Sequence, residues 1–262
     1  MTDEKRITTE ARGHVLMIGL HRTAKMNAFD PEMLQQLSEA YTELEKEPHR
    51  VAVLFAHGSE GDRRALLPEA RLVVAHGYGA LLFDFPGHGE SPGAVHWSAE
   101  SRAALRAAAA FLAAQPGVHA VAGYGFSMGG HALAQLASEA LPIAALVLAG
   151  VPTDGDLLTL EQYRSGGPLT QWPAAWADRR GGFVAAPTPL STVSTSGLPI
   201  LVVCGGLDQV VPTRMQEQLA RSGPGPRELL LLPLAGHGDY LEREPERFSK
   251  ALLDFLERRL PR

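Results

Sequence analysis

The chain has 262 residues, 45% apolar and 20% charged, which suits a large folded domain and excludes a disordered chain. Its net charge is −5 and no run of Lys or Arg stands out, so nucleic acid is excluded as an expected partner. A single cysteine, Cys204, excludes an intrachain disulfide and makes the cytoplasm the expected location.

The first residues, MTDEKR, mix acids and bases with no apolar run behind them, so no secretory signal is expected. The stretch ITTEARGHVLMIGLH reads as a β-hairpin with Arg12-Gly13 as its turn. Asp30 then caps a predicted helix with Pro31 at its first position and an apolar stripe of Leu34, Leu37, Tyr41 and Leu44. From residue 51 onward, short apolar runs alternate with amphipathic stretches. The runs are VAVLFA (51–56), GALLFDF (79–85), AVAGYGF (120–126), AALVLAG (144–150), PILVVCG (199–205) and ELLLLPL (228–234). Each lacks the apolar–polar alternation of a half-exposed strand, so each is expected to be covered on both faces. The expected fold is therefore α/β, one doubly wound, mostly parallel sheet spanning residues 1–262.

Predicted helices fill the gaps. Ser98 caps one that runs to about Gln115; another opens after Ser127, and a last one starts near Pro245 with Phe248, Leu252, Phe255 and Leu256 on one face. The apolar stretch Ala103 to Ala114 falls short of the ~20 residues that span a bilayer, so no membrane partner is expected. Residues 151–198 differ in texture: rich in Gly, Pro, Ser and Thr, with Trp172 and Trp176 and no clean period. A segment of that length between two core strands predicts a lid or cap over a pocket.

The chemistry concentrates at loops that follow strands. Gly125-Phe126-Ser127-Met128-Gly129 stands between an apolar strand and a helix, the setting of a nucleophile elbow. A serine hydroxyl needs a base, and His237 in AGHGD, just after the last predicted strand, is the candidate. Asp208 in GGLDQVVP is the candidate acid that orients the imidazole, ahead of Asp154; Asp239 stands too near His237 in sequence to be a first choice. The Met128 amide at the helix start is one expected oxyanion donor. The Ser59 amide, in the loop His57-Gly58-Ser59-Glu60-Gly61, is the second, with Glu60 as its runner-up. His57 reads as a buttress of that loop, Asp84 and His88 as parts of a structural turn, and Cys204 as a core residue. The ten histidines show no ligand-like clustering, so no metal or other cofactor is expected.

Taken together, His57-Gly58, DFPGHGES (84–91), GFSMGG (125–130), GGLDQVVP (205–212) and AGHGD (235–239) resemble the α/β-hydrolase superfamily over about residues 51–262. The resemblance implies a serine hydrolase of esterase or lipase type acting on a small acyl ester or thioester, with Ser127, Asp208 and His237 as triad and Ser59 and Met128 as oxyanion hole. Residues 1–57 depart from it. HVLMIGLHRTAKMNAFDPEMLQQLSEAYTELEKEPHRVAVLFAHG resembles the opening of an enoyl-CoA hydratase/isomerase (crotonase) chain, but the pattern stops after Gly58. The two resemblances together suggest a chimera joined at the shared strand and His-Gly. That joint leaves a second reading open: an impaired scaffold of hydrolase fold without efficient turnover. A strand–helix–strand link also predicts that the strand near Val15 to Leu20 runs parallel to VAVLFA, a departure from the hydrolase sheet.

Overall fold

The computed structural model describes residues 7–12, 15–20, 51–93, 99–154 and 187–260. Eight strands form one sheet: β1 (Ile7–Arg12), β2 (Val15–Leu20), β3 (Val51–Ala56), β4 (Gly79–Leu82), β5 (Ala120–Phe126), β6 (Ala145–Ala149), β7 (Ile200–Gly205) and β8 (Arg227–Leu232). Their spatial order is β1-β2-β4-β3-β5-β6-β7-β8. Every pairing is parallel except β1 with β2. The expected mostly parallel sheet is therefore present.

At the N-terminus β1 and β2 form the expected hairpin with Arg12 paired to Val15, so Arg12 belongs to the strand; Gly13, the other expected turn residue, lies outside the described residues. β2 pairs parallel with β4 at Met17 and Leu82, and β4 is parallel to β3, so β2 shares the direction of β3 as the crossover argument requires. The predicted helix from Pro31 and most of the predicted lid, including Trp172 and Trp176, lie outside the described residues.

Among the described residues the helices are α1 (Leu67–Ala75), α2 (Ala99–Ala113), α3 (Met128–Gln135), α4 (Pro189–Val193), α5 (Thr213–Ala220), α6 (Tyr240–Arg243) and α7 (Pro245–Arg259). They cover both sheet faces because the strands are apolar on both. Along β3, Ala52, Leu54 and Ala56 pack on one side with Leu105, Ala109 and Leu112 of α2. Val51, Val53 and Phe55 pack on the other with Val73 of α1 and Phe248, Leu252 and Phe255 of α7. A fully buried Leu or Phe contributes about 2 kcal/mol, so both faces are needed to hold the sheet.

The end of the segment expected as a lid belongs to a helical layer. Thr188 caps α4 through its side-chain oxygen, which accepts from Ser191 N at 3.3 Å. Thr192 Oγ1 donates to the Ala134 carbonyl at 2.6 Å, fastening α4 to the end of α3. No helix among the described residues is long and apolar enough to cross a membrane.

Candidate active site

All the singled-out chemistry sits at the carboxyl ends of the parallel strands, where sheets of this kind leave a crevice. His57 follows β3, Asp84 follows β4, Ser127 follows β5, and Asp208 and His237 follow β7 and β8.

Ser127 has φ 49° and ψ −115°, the only positive φ outside glycine among the described residues. Such a conformation costs about 1–3 kcal/mol and persists only where neighbours enforce it. Here Ser127 N donates to the Ala149 carbonyl at 2.9 Å, and its own carbonyl accepts from His131 N at 2.8 Å. Gly129 N donates to the His57 carbonyl at 3.0 Å, tying the turn to the loop after β3. The elbow glycines are there for space. A Cβ on Gly125 would overlap the backbone of Gly130, and one on Gly129 would overlap the carbonyl of Ala56.

His237 Nδ1 lies 2.8 Å from Asp208 Oδ2, and the Asp208 carboxylate is fully buried. Its other oxygen accepts from the amides of Val210 (2.8 Å) and Val211 (2.9 Å), so the carboxylate is held on both sides. This separates the three candidate acids. Asp239 is spent on Gly236 N at 2.6 Å and on Arg243, and Asp154 makes no bond to His237. With Nδ1 donating to the carboxylate, His237 Nε2 is left as the basic nitrogen.

No hydrogen bond joins Ser127 Oγ to His237 among the described residues; Phe126, next to Ser127 in the chain, and Gly150 both pack close to the imidazole. The Phe126 ring lies 4.8 Å from the His237 ring, centroid to centroid. A Cβ on Gly58 would come within 3.0 Å of the Phe126 ring, and one on Gly238 within 2.6 Å. Phe126 is thus wedged between the loops that follow β3 and β8. Behind the imidazole, Gly150 (φ 59°) leaves room by lacking a side chain, since a Cβ there would lie 3.0 Å from both His237 Cε1 and Tyr240 Oη. Sequence spacing singled out neither Phe126 nor Gly150 for these roles. Their only signal was adjacency, one to the serine and the other to a strand end.

The amides of Ser59 and Met128 have no acceptor among the described residues, whereas the neighbouring Gly129 and Gly61 amides do. His57 behaves as a buttress. Phe85 N donates to His57 Nε2 at 3.1 Å, so the proton is on Nδ1, which donates to the Gly58 carbonyl at 2.7 Å. Burial drives its pKa down from 6.5 to about 4, consistent with a neutral ring. Asp84 is likewise structural. It accepts from Arg63 N at 2.7 Å, from the Arg63 guanidinium and from Glu90 N at 3.1 Å, all inside the fold. Cys204 is buried, and desolvation pushes its thiol up to about 11, away from nucleophilic use.

A model described as "Alpha/beta hydrolase family" matches residues 53–251. Uncharacterized proteins from two strains of Mycobacterium tuberculosis are each 32% identical over 194 residues, covering 72% of this chain and 63% of theirs. The chain thus spans less than two thirds of the length of these relatives. Among solved structures, an esterase of Pyrococcus furiosus superposes with a TM-score of 0.66 at 22% identity, over 81% of this chain and 83% of its own. The alpha/beta hydrolase GrgF from a Penicillium species does so at 0.64 and 23%, over 81% and 91%. At those identities the likeness is one of fold. The comparisons bring no evidence for a crotonase segment or for a chimera.

Proposed function

Because the chain belongs to the alpha/beta hydrolase family, we propose that it is a serine hydrolase that cleaves carboxylic esters or thioesters through an acyl-enzyme. The observation that carries this reading is the Asp208–His237 hydrogen bond, made by a buried carboxylate at the end of the sheet where Ser127 is strained. In the proposed reaction His237 Nε2 takes the Ser127 hydroxyl proton as Oγ attacks the substrate carbonyl. Asp208 keeps the imidazole in the required tautomer and stabilises the imidazolium that forms. The oxyanion accepts from the Met128 and Ser59 amides. His237 then returns the proton to the leaving alcohol or thiol, and water, activated by the same imidazole, releases the acid.

The likeness of residues 1–57 to a crotonase opening rests on sequence alone and supplies no group to this reaction. The amides of Ser59 and Met128 favour turnover over an impaired scaffold, because neither has an acceptor among the described residues. A fluorophosphonate probe is expected to label the wild type and not Ser127→Ala, and p-nitrophenyl butyrate hydrolysis to vanish in the same variant. Equal labelling of both proteins would reject the assignment, and a labelled wild type without turnover would favour the scaffold.

A further inference from the structure

His88, only 6% exposed, takes no part in the reaction proposed above, yet it reaches across to the loop that would bind the oxyanion. Its Nε2 lies 3.1 Å from the Ser59 carbonyl and its Nδ1 3.1 Å from the Pro86 carbonyl. A peptide unit is planar and trans, so its N–H points away from its C=O. The Gly58 carbonyl is held by His57 Nδ1 at 2.7 Å and by Gly61 N at 3.3 Å, which turns the Ser59 N–H the opposite way. The Ser59 carbonyl, held by His88, fixes the next peptide plane. Two successive planes of the loop are thus each gripped on the carbonyl side by a buried imidazole.

We propose that His88 is a positioning residue for hydrolysis: its bond to the Ser59 carbonyl fixes the Ser59–Glu60 peptide plane and so clamps, from the side opposite His57, the residue whose amide would receive the oxyanion. The inference rests on the serine-hydrolase reading.

From the loop after β3, the His57 ring stands 5.0 Å from that of His88 in an edge contact and is neutral, because its Nε2 accepts from Phe85 N. On the far side, Phe85 packs at 6.4 Å. Asp84 and Glu90 of the same turn are engaged by Arg63, and Glu60 and Asp62 follow Ser59 in the loop that His88 grips.

The test is kcat and KM for p-nitrophenyl butyrate in wild type, His88→Phe and His88→Gln, with fluorophosphonate labelling and thermal midpoints measured alongside. Phenylalanine keeps the ring contacts and removes the donor; glutamine keeps a donor. His88→Phe is expected to lose about tenfold in kcat with KM little changed, as for a weakened oxyanion interaction. His88→Gln should recover most of that loss. A folded His88→Phe with wild-type kcat overturns the proposal. If His88→Phe does not fold, His88→Gln decides, and a loss of about tenfold in kcat in a folded His88→Gln, which keeps the donor, overturns it. Absence of labelling in the wild type would overturn the hydrolase reading itself, an outcome distinct from a labelled enzyme indifferent to His88.

Discussion

A carboxylate with no access to water keeps its charge only if its oxygens are supplied with donors, and Asp208 has three: His237 Nδ1 and the amides of Val210 and Val211. Replacing it by asparagine separates charge from shape. The amide side chain can still accept from the two valine N–H groups, so the loop should stay folded, but the imidazole loses the partner that sets its tautomer. Asp208→Asn is therefore expected to lower kcat by about three to four orders of magnitude with a nearly unchanged thermal midpoint. A loss under tenfold would show that another group orients His237. Ser127, Asp208 and His237 are legible in sequence as candidates because each follows an apolar run with a turn of its own. Spacing alone does not choose among Asp208, Asp154 and Asp239; the pairing of His237 with Asp208 is a contact between loops. The parts played by Phe126, Gly150 and His88 were not legible at all. They arise where loops from different strands meet, and no spacing within one segment encodes such contacts.

At the scale of elements, β3 and β5 fall on the expected residues and the other core strands within three residues of them. β4 stops at Leu82, short of the expected Phe85, because Asp84 turns inward to receive Arg63 and Glu90. The sequence reading names none of the helices α1, α4, α5 and α6; α4 and α6 are only five and four residues long. α1 is short and enters through a 3₁₀ turn, Arg63–Leu66, that Asp62 caps. α5 buries only Met215, Gln216 and Leu219, too few apolar positions to stand out from the polar run around them. That 3₁₀ turn carries more than a connection, since Arg63, 3% exposed, is the cation that Asp84 meets inside the fold. Arg63→Met would fill a similar volume and leave the carboxylate buried without a counter-charge. The expected destabilisation is about 3–5 kcal/mol by urea unfolding, and the double variant Arg63→Met, Asp84→Asn should recover part of it. A loss below about 1 kcal/mol would place this pair with weak surface bridges.

For the whole molecule, periodicity predicts covered parallel strands but not which strand lies beside which. The place of β4 between β2 and β3 became visible only in the structure, while the direction of β2 followed from its crossover. The same closed packing buries ionisable groups of opposite sign, and their balance sets how stability depends on pH. Burial lowers the pKa values of His57 and His131 from 6.5 to about 4. The unfolded chain then binds their protons first, so their contribution is complete above 6.5 and is lost as the pH falls toward 4. Glu69, buried in α1, has its pKa raised from 4.5 to about 7 by desolvation. The folded chain holds that proton more tightly, so its contribution is complete below 4.5 and is lost as the pH rises toward 7. Between 4.5 and 6.5 the two effects oppose: two protons favour the unfolded state and one favours the folded state. Glu69→Gln removes the opposing proton. The acid limb of the variant should be steeper than that of the wild type by about 1.4 kcal/mol per pH unit, measured as urea-unfolding free energy across this window. The other titrating groups are common to both proteins and cancel in the difference. Equal slopes would mean that Glu69 exchanges its proton with solvent as freely in the folded chain as in the unfolded one.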